Sequence, residues 1–319
     1  MRLRAMPARA YAGEVLPLTA PLWAGRRTFD QYVEQTLEIA RSPYGRRYYR
    51  TIGLYEGNRC VASFKRYERR LRDGPRHLDA IGFGAVFTPK EYRGRGYASV
   101  MLAMALDRAR GDGYELAYLF SDIRPEFYAE LGFRALPSRS FSLRADSLPA
   151  TRLQPSPLGE HDWSGVRHVF DLVENRRNAG FSRSATTWDW IRLRMRHGSE
   201  RPPGDETNLV LRRRGRVAAY VFGVRATQFD EYILEEFGFA DDAAAASIPA
   251  LLRAAAGDLR RVVGWLPPKD ARFSLSKLRA RPRSRAILMM APLRSQGELL
   301  LNAIVSDRRE DLCWATDHI

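Results

Sequence analysis

The sequence predicts an α+β chain of two similar parts, each holding an α/β step in which strand, turn and helix follow one another. Three observations carry that reading. At 319 residues the chain is about twice an ordinary domain. An apolar, small-residue run (Ile81 to Thr88) leads through Arg93-Gly94-Arg95-Gly96-Tyr97-Ala98 into a second apolar segment from Ser99 to Leu106. The element order of the first half also recurs in the second.

Thr28 to Ala40 has apolar residues at near-helical spacing, at Phe29, Tyr32, Val33, Leu37 and Ile39. Strands follow at 48–55 and 60–68, joined at the hairpin-like turn Glu56-Gly57-Asn58. Arg72-Asp73-Gly74-Pro75 reads as the next turn, before the strand that ends at Thr88. A helix over 96–110 stops at Gly111-Asp112-Gly113, and a strand over 115–120 comes next. A short helix near 125–131 and a strand from Phe133 to Leu143 complete the first half. Residues 148–158, with Pro149, Pro155 and Pro157, read as a linker. Beyond it, helices are expected at 161–177 and 187–196, and strands at 208–213, 216–224 and 231–239. An alanine-rich helix over 243–256 and a strand at 261–266 follow.

Composition narrows the function classes. No apolar run reaches the roughly 18–20 residues that span a bilayer, and the basic N-terminus lacks the apolar core of a signal peptide. The expected setting is cytoplasmic, with no membrane partner. Cys60 and Cys313 lie far apart, offer no zinc spacing and read as ordinary reduced thiols. A net charge of +15 invites a nucleic-acid reading. Of 52 basic residues, however, only four are lysine (65, 90, 269, 277), leaving 48 arginines scattered along the whole chain. That bias resembles base composition more than a designed patch, so nucleic acid is not an expected partner.

A helix start carries unpaired N–H groups and the positive end of a dipole, so it can hold a phosphate. Gly94 and Gly96 would let the backbone approach an anion. The pattern R-x-x-G-x-G/A at Arg93, Gly96 and Ala98 resembles the pyrophosphate-binding turn of the GNAT superfamily of acetyl-CoA-dependent acyltransferases. The run F-Y-x-x-L-G-F at 127–133 resembles the segment that supplies that family's catalytic tyrosine. The resemblance implies a mixed, mostly antiparallel central sheet flanked by helices. It also implies acetyl-CoA as co-substrate, no metal, and a small-molecule or peptide amine as acceptor. Backbone groups of Val86, Phe87 and Thr88 would hold the pantetheine arm, and 93–98 the pyrophosphate. Ser121 would face the same arm. The family often places a proline three residues before the motif arginine; here Lys90 stands there and Pro89 one step earlier.

Tyr128 is the expected general acid, because a phenol stays protonated at neutral pH and can hand its proton to a leaving thiolate. For the general base the sequence offers Asp79, with His77 two residues away on the same strand face. Where the second half repeats the helix start it reads Ala240-Asp241-Asp242-Ala243, a sound N-cap and a poor pyrophosphate site. That half is therefore expected to be a degenerate copy. The tandem is similar to the enhanced intracellular survival acetyltransferases, without their sterol-carrier-like domain. In those relatives the chain's own C-terminal carboxylate enters the active site, which implies a role for Ile319. Six acidic residues (Asp230, Glu231, Glu235, Glu236, Asp241, Asp242) could attract a cationic amine or simply form a polar strand face and a cap.

The expected layout is a catalytic part over 1–147, a linker over 148–158, a degenerate part over 159–285, and a strand and tail over 286–319. The expected function is direct transfer of acetyl from acetyl-CoA to an amine. The alternative is a non-catalytic acyl-CoA sensor of the same fold. A homo-oligomer is compatible with either.

Overall fold

The computed structural model describes residues 1–25, 27–150, 153–198, 205–268, 271, 278–306 and 311–319. Residues 151–152 of the expected linker, and Lys269 and Lys277, lie outside these. The helices are α1 (Ala8–Glu14), α2 (Leu16–Trp23), α3 (Phe29–Arg41), α4 (Pro43–Tyr48), α5 (Tyr97–Asp112) and α6 (Pro125–Ala129). They continue as α7 (Trp163–Asn175), α8 (Ala185–Arg196), α9 (Asp242–Ala245), α10 (Ile248–Ala256) and α11 (Ser295–Ser306). The strands begin with β1 (Arg2–Met6), β2 (Tyr49–Glu56), β3 (Arg59–Asp73), β4 (Arg76–Phe87), β5 (Leu116–Ser121) and β6 (Arg134–Ala135). Next come β7 (Arg139–Arg144), β8 (Ser156–Pro157), β9 (Ala179–Ser182), β10 (Asp205–Glu206) and β11 (Leu209–Arg213). The last are β12 (Arg216–Ala226), β13 (Glu231–Phe239), β14 (Arg261–Trp265), β15 (Arg279–Pro282) and β16 (Ile287–Pro292).

They form two mixed sheets of eight strands each. The first runs β1-β2-β3-β4-β5-β16-β6 with β9 added to β3; the second runs β15-β7-β14-β13-β12-β11-β8 with β10 added to β12. Within each, one pair is parallel, β4 with β5 and β13 with β14, and the others are antiparallel. A parallel pair needs a crossover, and α5 supplies it in the first half. The left-handed glycines Gly96 and Gly113 bound α5, and its stripe of Tyr97, Met101, Leu102, Ala105, Leu106 and Ala109 is buried. That stripe packs on Phe64, Phe83 and Leu119, one face of the first sheet. On the opposite face the N-terminal helices bury Tyr11, Leu16 and Tyr32 beside Phe87. A reciprocal bond between Thr28 and Gln31 sets the start of α3.

Five features differ from the sequence expectation. The segment 133–143 is not one strand: β6 stays at the edge of the first sheet, and β7 crosses to the second sheet between β14 and β15. The place beside β5 goes to β16, from the C-terminal part. The second half also lends β9 to the first sheet. At fifteen residues β3 outruns β2, which pairs only with Arg59–Tyr67, and β9 covers the edge left at 70–73. The alanine-rich helix breaks at Ser247, before Pro249, into α9 and α10. Finally, α11 and the folded residues 1–25 were not foreseen.

The tail 311–319 is tied into both halves. Asp311 accepts from the Arg139 backbone N–H at 2.9 Å and from its guanidinium at 2.9 Å. Arg177 donates to the Leu312 carbonyl. Asp317 pairs with Arg69 at 3.0 Å and Arg183 at 3.1 Å, and Arg183 also binds Glu236 at 2.7 Å. Tyr220 donates to Glu236 at 2.7 Å, and Thr316 does so as well. All four charged side chains are at most 2% exposed.

Candidate active site

The parallel ladder of β4 and β5 holds only at Ala80–Leu116, Ile81–Ala117 and Gly82–Tyr118. Beyond Gly82 the strands part. An extra residue on β4 opposite Phe64 makes a bulge, with Ala85 at φ 48°, and pairing with β3 resumes only at Phe87–Ser63. The result is a fork whose inner edges, 83–87 on one arm and 119–121 on the other, no longer pair with each other. Its backbone N–H and C=O groups can bind an extended polar chain.

At the mouth of the fork the chain turns through Lys90–Tyr92 into Gly94 (φ 76°) and Gly96 (φ 75°). A Cβ placed on either glycine would meet nothing within 4 Å, so the space above the turn is open. No side chain caps the start of α5. Those observations fit a pyrophosphate. Arg93 and Arg95 are exposed, and Arg93 steadies the turn by donating to the Thr88 carbonyl at 3.0 Å. Ala98 stands in the first helical turn, half-buried.

Several of the expected site residues have only their backbone to offer a ligand, since their side chains are committed to the interior. Phe87 packs edge-on against Trp23. Tyr97 is buried and bonds Glu56 at 3.1 Å. Ser121 is 1% exposed and donates to the Ile123 carbonyl at 3.0 Å, holding the turn after β5.

Tyr128, on α6, is half-buried between the rings of Phe127 and Phe133. Burial, and then the nearby Asp122 carboxylate, push its phenol up to about 12. It belongs to the α5 side of the sheet. Ile319 lies on the other side. A Cβ at Gly82 would stand 2.6 Å from Ile319 Cδ1, and one at Gly84 would stand 3.4 Å from the Ile319 carboxyl carbon. Two residues without side chains thus form the channel that receives the last residue at the fork. Arg194 bonds the His318 carbonyl, and the His318 ring packs 4.9 Å from Phe120.

Asp79 is not brought to this place. It stands near the opposite end of β4, 58% exposed and paired with Arg70 at 3.0 Å. Five residues along an extended strand, about 17 Å, separate it from Gly84. His77 is exposed and bonds Ser182 at 3.1 Å.

The second half repeats the fork with different contents. The β13–β14 ladder ends at Leu234–Gly264, and the tail lies against the free arm, with Trp314 5.1 Å from Phe237. The helix start that follows is closed by its own carboxylate, Asp241 accepting from the Ala244 N–H at 2.7 Å. The six acidic residues do not form one cluster. Glu236 is enclosed by Arg183, Asp241 is the cap, and Asp230 accepts from the Arg260 N–H. Glu235 alone of the six lines the interdomain cavity of about 390 Å³, with Asp122, Arg194, Trp265 and His318.

Burial pushes the thiols of Cys60 and Cys313 up, to about 11 and 12, which makes both poor nucleophiles. Among the described residues, no three His, Cys, Asp or Glu side chains are grouped to hold a metal ion. No described helix is long and apolar enough to cross a membrane.

Residues 22–136 match the family model of the acetyltransferase (GNAT) domain. The match ends where the chain leaves the first sheet for the second. A lysine acetyltransferase of Yarrowia lipolytica is 35% identical over 87 residues, 25% of this chain and 22% of that protein. The chain thus spans about a fifth of that curated relative. A GCN5-related N-acetyltransferase from Kribbella flavida has a TM-score of 0.68 at 20% identity, over 92% of this chain and 72% of its own. Eis1 from Mycobacterium abscessus has a TM-score of 0.62 at 12% identity, over 92% and 74%. A tandem GNAT protein from the clavulanic acid biosynthesis pathway has a TM-score of 0.51 at 14% identity, over 92% and 99%. Residues 22–136 are therefore similar to a GNAT acetyltransferase domain, and the chain as a whole has the fold of two GNAT-like sheets.

Proposed function

We propose that this protein transfers an acetyl group from acetyl-CoA directly to an amine at the β4–β5 fork of its first half. The observation that carries the proposal is the placement of the chain's own carboxyl terminus against Gly84, at the fork, with a protonated phenol on the other side of the sheet. The glycine turn and the start of α5 would hold the pyrophosphate, and the backbone of Val86, Phe87 and Thr88 the arm that carries the thioester.

In the reaction the amine nitrogen bonds to the acetyl carbon and the carbon–sulfur bond breaks. The Ile319 carboxylate takes a proton from the amine, and Tyr128 gives its phenol proton to the departing thiolate. Solvent then restores both groups. No covalent acyl-enzyme is invoked, because neither thiol is activated. The same two thiols, unpaired, support the cytoplasmic setting.

Calorimetric titration with acetyl-CoA tests the cofactor site. One saturable site per chain is expected, and Gly96→Glu should weaken it at least 100-fold. That substitution strains a left-handed position by about 1–2 kcal/mol and sets a carboxylate where phosphate would sit. Two sites per chain would contradict the degenerate reading of the second half; no site would defeat the proposal. Tyr128→Phe should lower kcat by about 10²–10⁴-fold with the acetyl-CoA affinity unchanged. Since burial pushes the phenol up to about 12, the wild-type kcat should show no alkaline fall from this group below about pH 10. Acetyl-CoA binding without any thiol release, across a broad amine screen, would favour the sensor instead.

A further inference from the structure

The second half keeps a fork but not the glycine turn that follows the first one. On β13, Leu234 pairs with Gly223 and Glu236 with Phe222, so Glu235 is an extra residue that makes a bulge. The ladder of β13 with β14 ends at Leu234–Gly264, and the next helix start is closed by Asp241. This fork therefore has no place for a pyrophosphate. It opens instead on the interdomain cavity of about 390 Å³, at the small end of ligand pockets.

The walls of this cavity come from both halves and from the tail. Ile233 and Leu234 of β13, Trp265 of β14, and Ile191 and Met195 of α8 give it an apolar lining. Trp265 is a fixed wall. The Arg283 guanidinium lies 3.5 Å from its ring centre, and the rings of Phe120 and His318 pack 5.7 Å and 5.8 Å away. Such a lining favours a ligand with an apolar body, whose surface it removes from water. Among the described lining residues the fixed charges are two carboxylates, Asp122 and Glu235, and one guanidinium, Arg194. Whichever pairs these three form, the lining keeps one negative charge in excess. A single ammonium balances that charge, and a polycation does not.

The cavity is also bounded by neighbours of both groups that the transfer needs. His318, which lines it, is bonded to Ile319. Asp122, which lines it too, is near enough for its carboxylate to act on the Tyr128 phenol. We propose that the acceptor is a small monoamine with a flat apolar body, held in this cavity against Trp265 and α8, its one ammonium balanced by Asp122. The degenerate half thus keeps its fork as the acceptor wall after losing the turn that would bind a cofactor. This deepens the transfer reading and rests on it.

The test is equilibrium calorimetry on the full chain saturated with CoA, with phenethylamine, ethylamine, 2-phenylethanol and spermidine as probes. Phenethylamine should bind about 10-fold or more tightly than ethylamine, the effect of burying its ring. It should bind about 10-fold or more tightly than 2-phenylethanol, which lacks the charge. Spermidine should bind no more tightly than ethylamine. Ile233→Trp, which fills the cavity from β13, should abolish the preference for the ring. Asp122→Asn keeps the oxygen that accepts from the Ala286 N–H and should reduce the preference for the amine over the alcohol about 3-fold or more. Acetyl-CoA affinity, read in parallel, reports whether each variant is folded. Equal binding of phenethylamine and ethylamine in the wild type would overturn the proposal, as would tighter binding of spermidine or a ring preference that survives Ile233→Trp. Because binding is read without turnover, a failed thiol-release assay beside intact ratios would sink the transfer reading and leave this site standing. Turnover of ethylamine or spermidine beside a ring preference of one would do the reverse.

Discussion

Removal of Ile319 is expected to lower kcat/KM for the amine by about 10²–10⁴-fold, the usual contribution of a positioned general base, with acetyl-CoA affinity unchanged. The physical reason is positional. The carboxyl now against Gly84 belongs to the last residue alone, and deletion moves the terminus back to His318, one residue spacing of about 3.3–3.6 Å. There the new carboxylate would lie beside Arg194, which already bonds the His318 carbonyl, and its charge would be held by the guanidinium. The isoleucine side chain that fills the channel over Gly82 would be lost as well. A semisynthetic chain ending in a C-terminal amide separates the two effects, since it keeps the shape and removes the charge. The amide should be as impaired as the deletion. Full turnover by either would remove the carboxylate from the mechanism.

Asp317→Ala should be the most damaging single substitution away from the fork. It leaves Arg69 without its carboxylate partner and Arg183 with only Glu236, in a region where these side chains are at most 2% exposed. Orphaning a buried charge costs about 3–5 kcal/mol, a large part of the 5–15 kcal/mol that holds a protein together. The tail carries Ile319, so activity should fall with stability. Differential scanning calorimetry and kcat should therefore drop together, and adding Arg69→Met should recover much of the lost Tm. An unchanged Tm and kcat in Asp317→Ala would contradict the account. The pH dependence has a fixed sign. Burial alone would raise the Asp317 carboxyl, but Arg183 and then Arg69 outweigh it and hold it below the usual range. A depressed carboxyl contributes stability above its unfolded value, about 3.9, and that contribution is lost as the pH falls through the folded value. Tail docking should accordingly persist through neutral and mildly acid solution and weaken progressively as the pH falls below about 4.

Local signals were enough for much of the first half. The helix α5 was legible because Gly96 and Gly113 bound it and its apolar residues recur every three or four positions. The glycine turn over 93–98 and the short helix that carries Tyr128 were legible because a glycine turn and an F-Y-x-x-L-G-F segment are contiguous in sequence. Asp79 was misleading for the opposite reason. Its place near the strand start is a local property, whereas its distance from Ile319 depends on where the fork opens and where the tail lands. Strand β7 was misplaced because an alternating strand carries no label for its neighbour. Its partners, β14 and β15, come from residues more than a hundred positions later.

The sequence by itself determined the strand–turn–helix step, the glycine turn before α5, the short helix that carries Tyr128 and the lack of such a turn in the second half. Each is a pattern of adjacent residues, governed by backbone freedom, helix capping and side-chain periodicity. Only the tertiary structure decided that β16 and β9 complete the first sheet, that four enclosed charges hold the tail, and that the last carboxyl rests over Gly84. Those features join residues as far apart as Arg69 and Asp317. Burial and charge pairing select such contacts only once the two sheets are packed together.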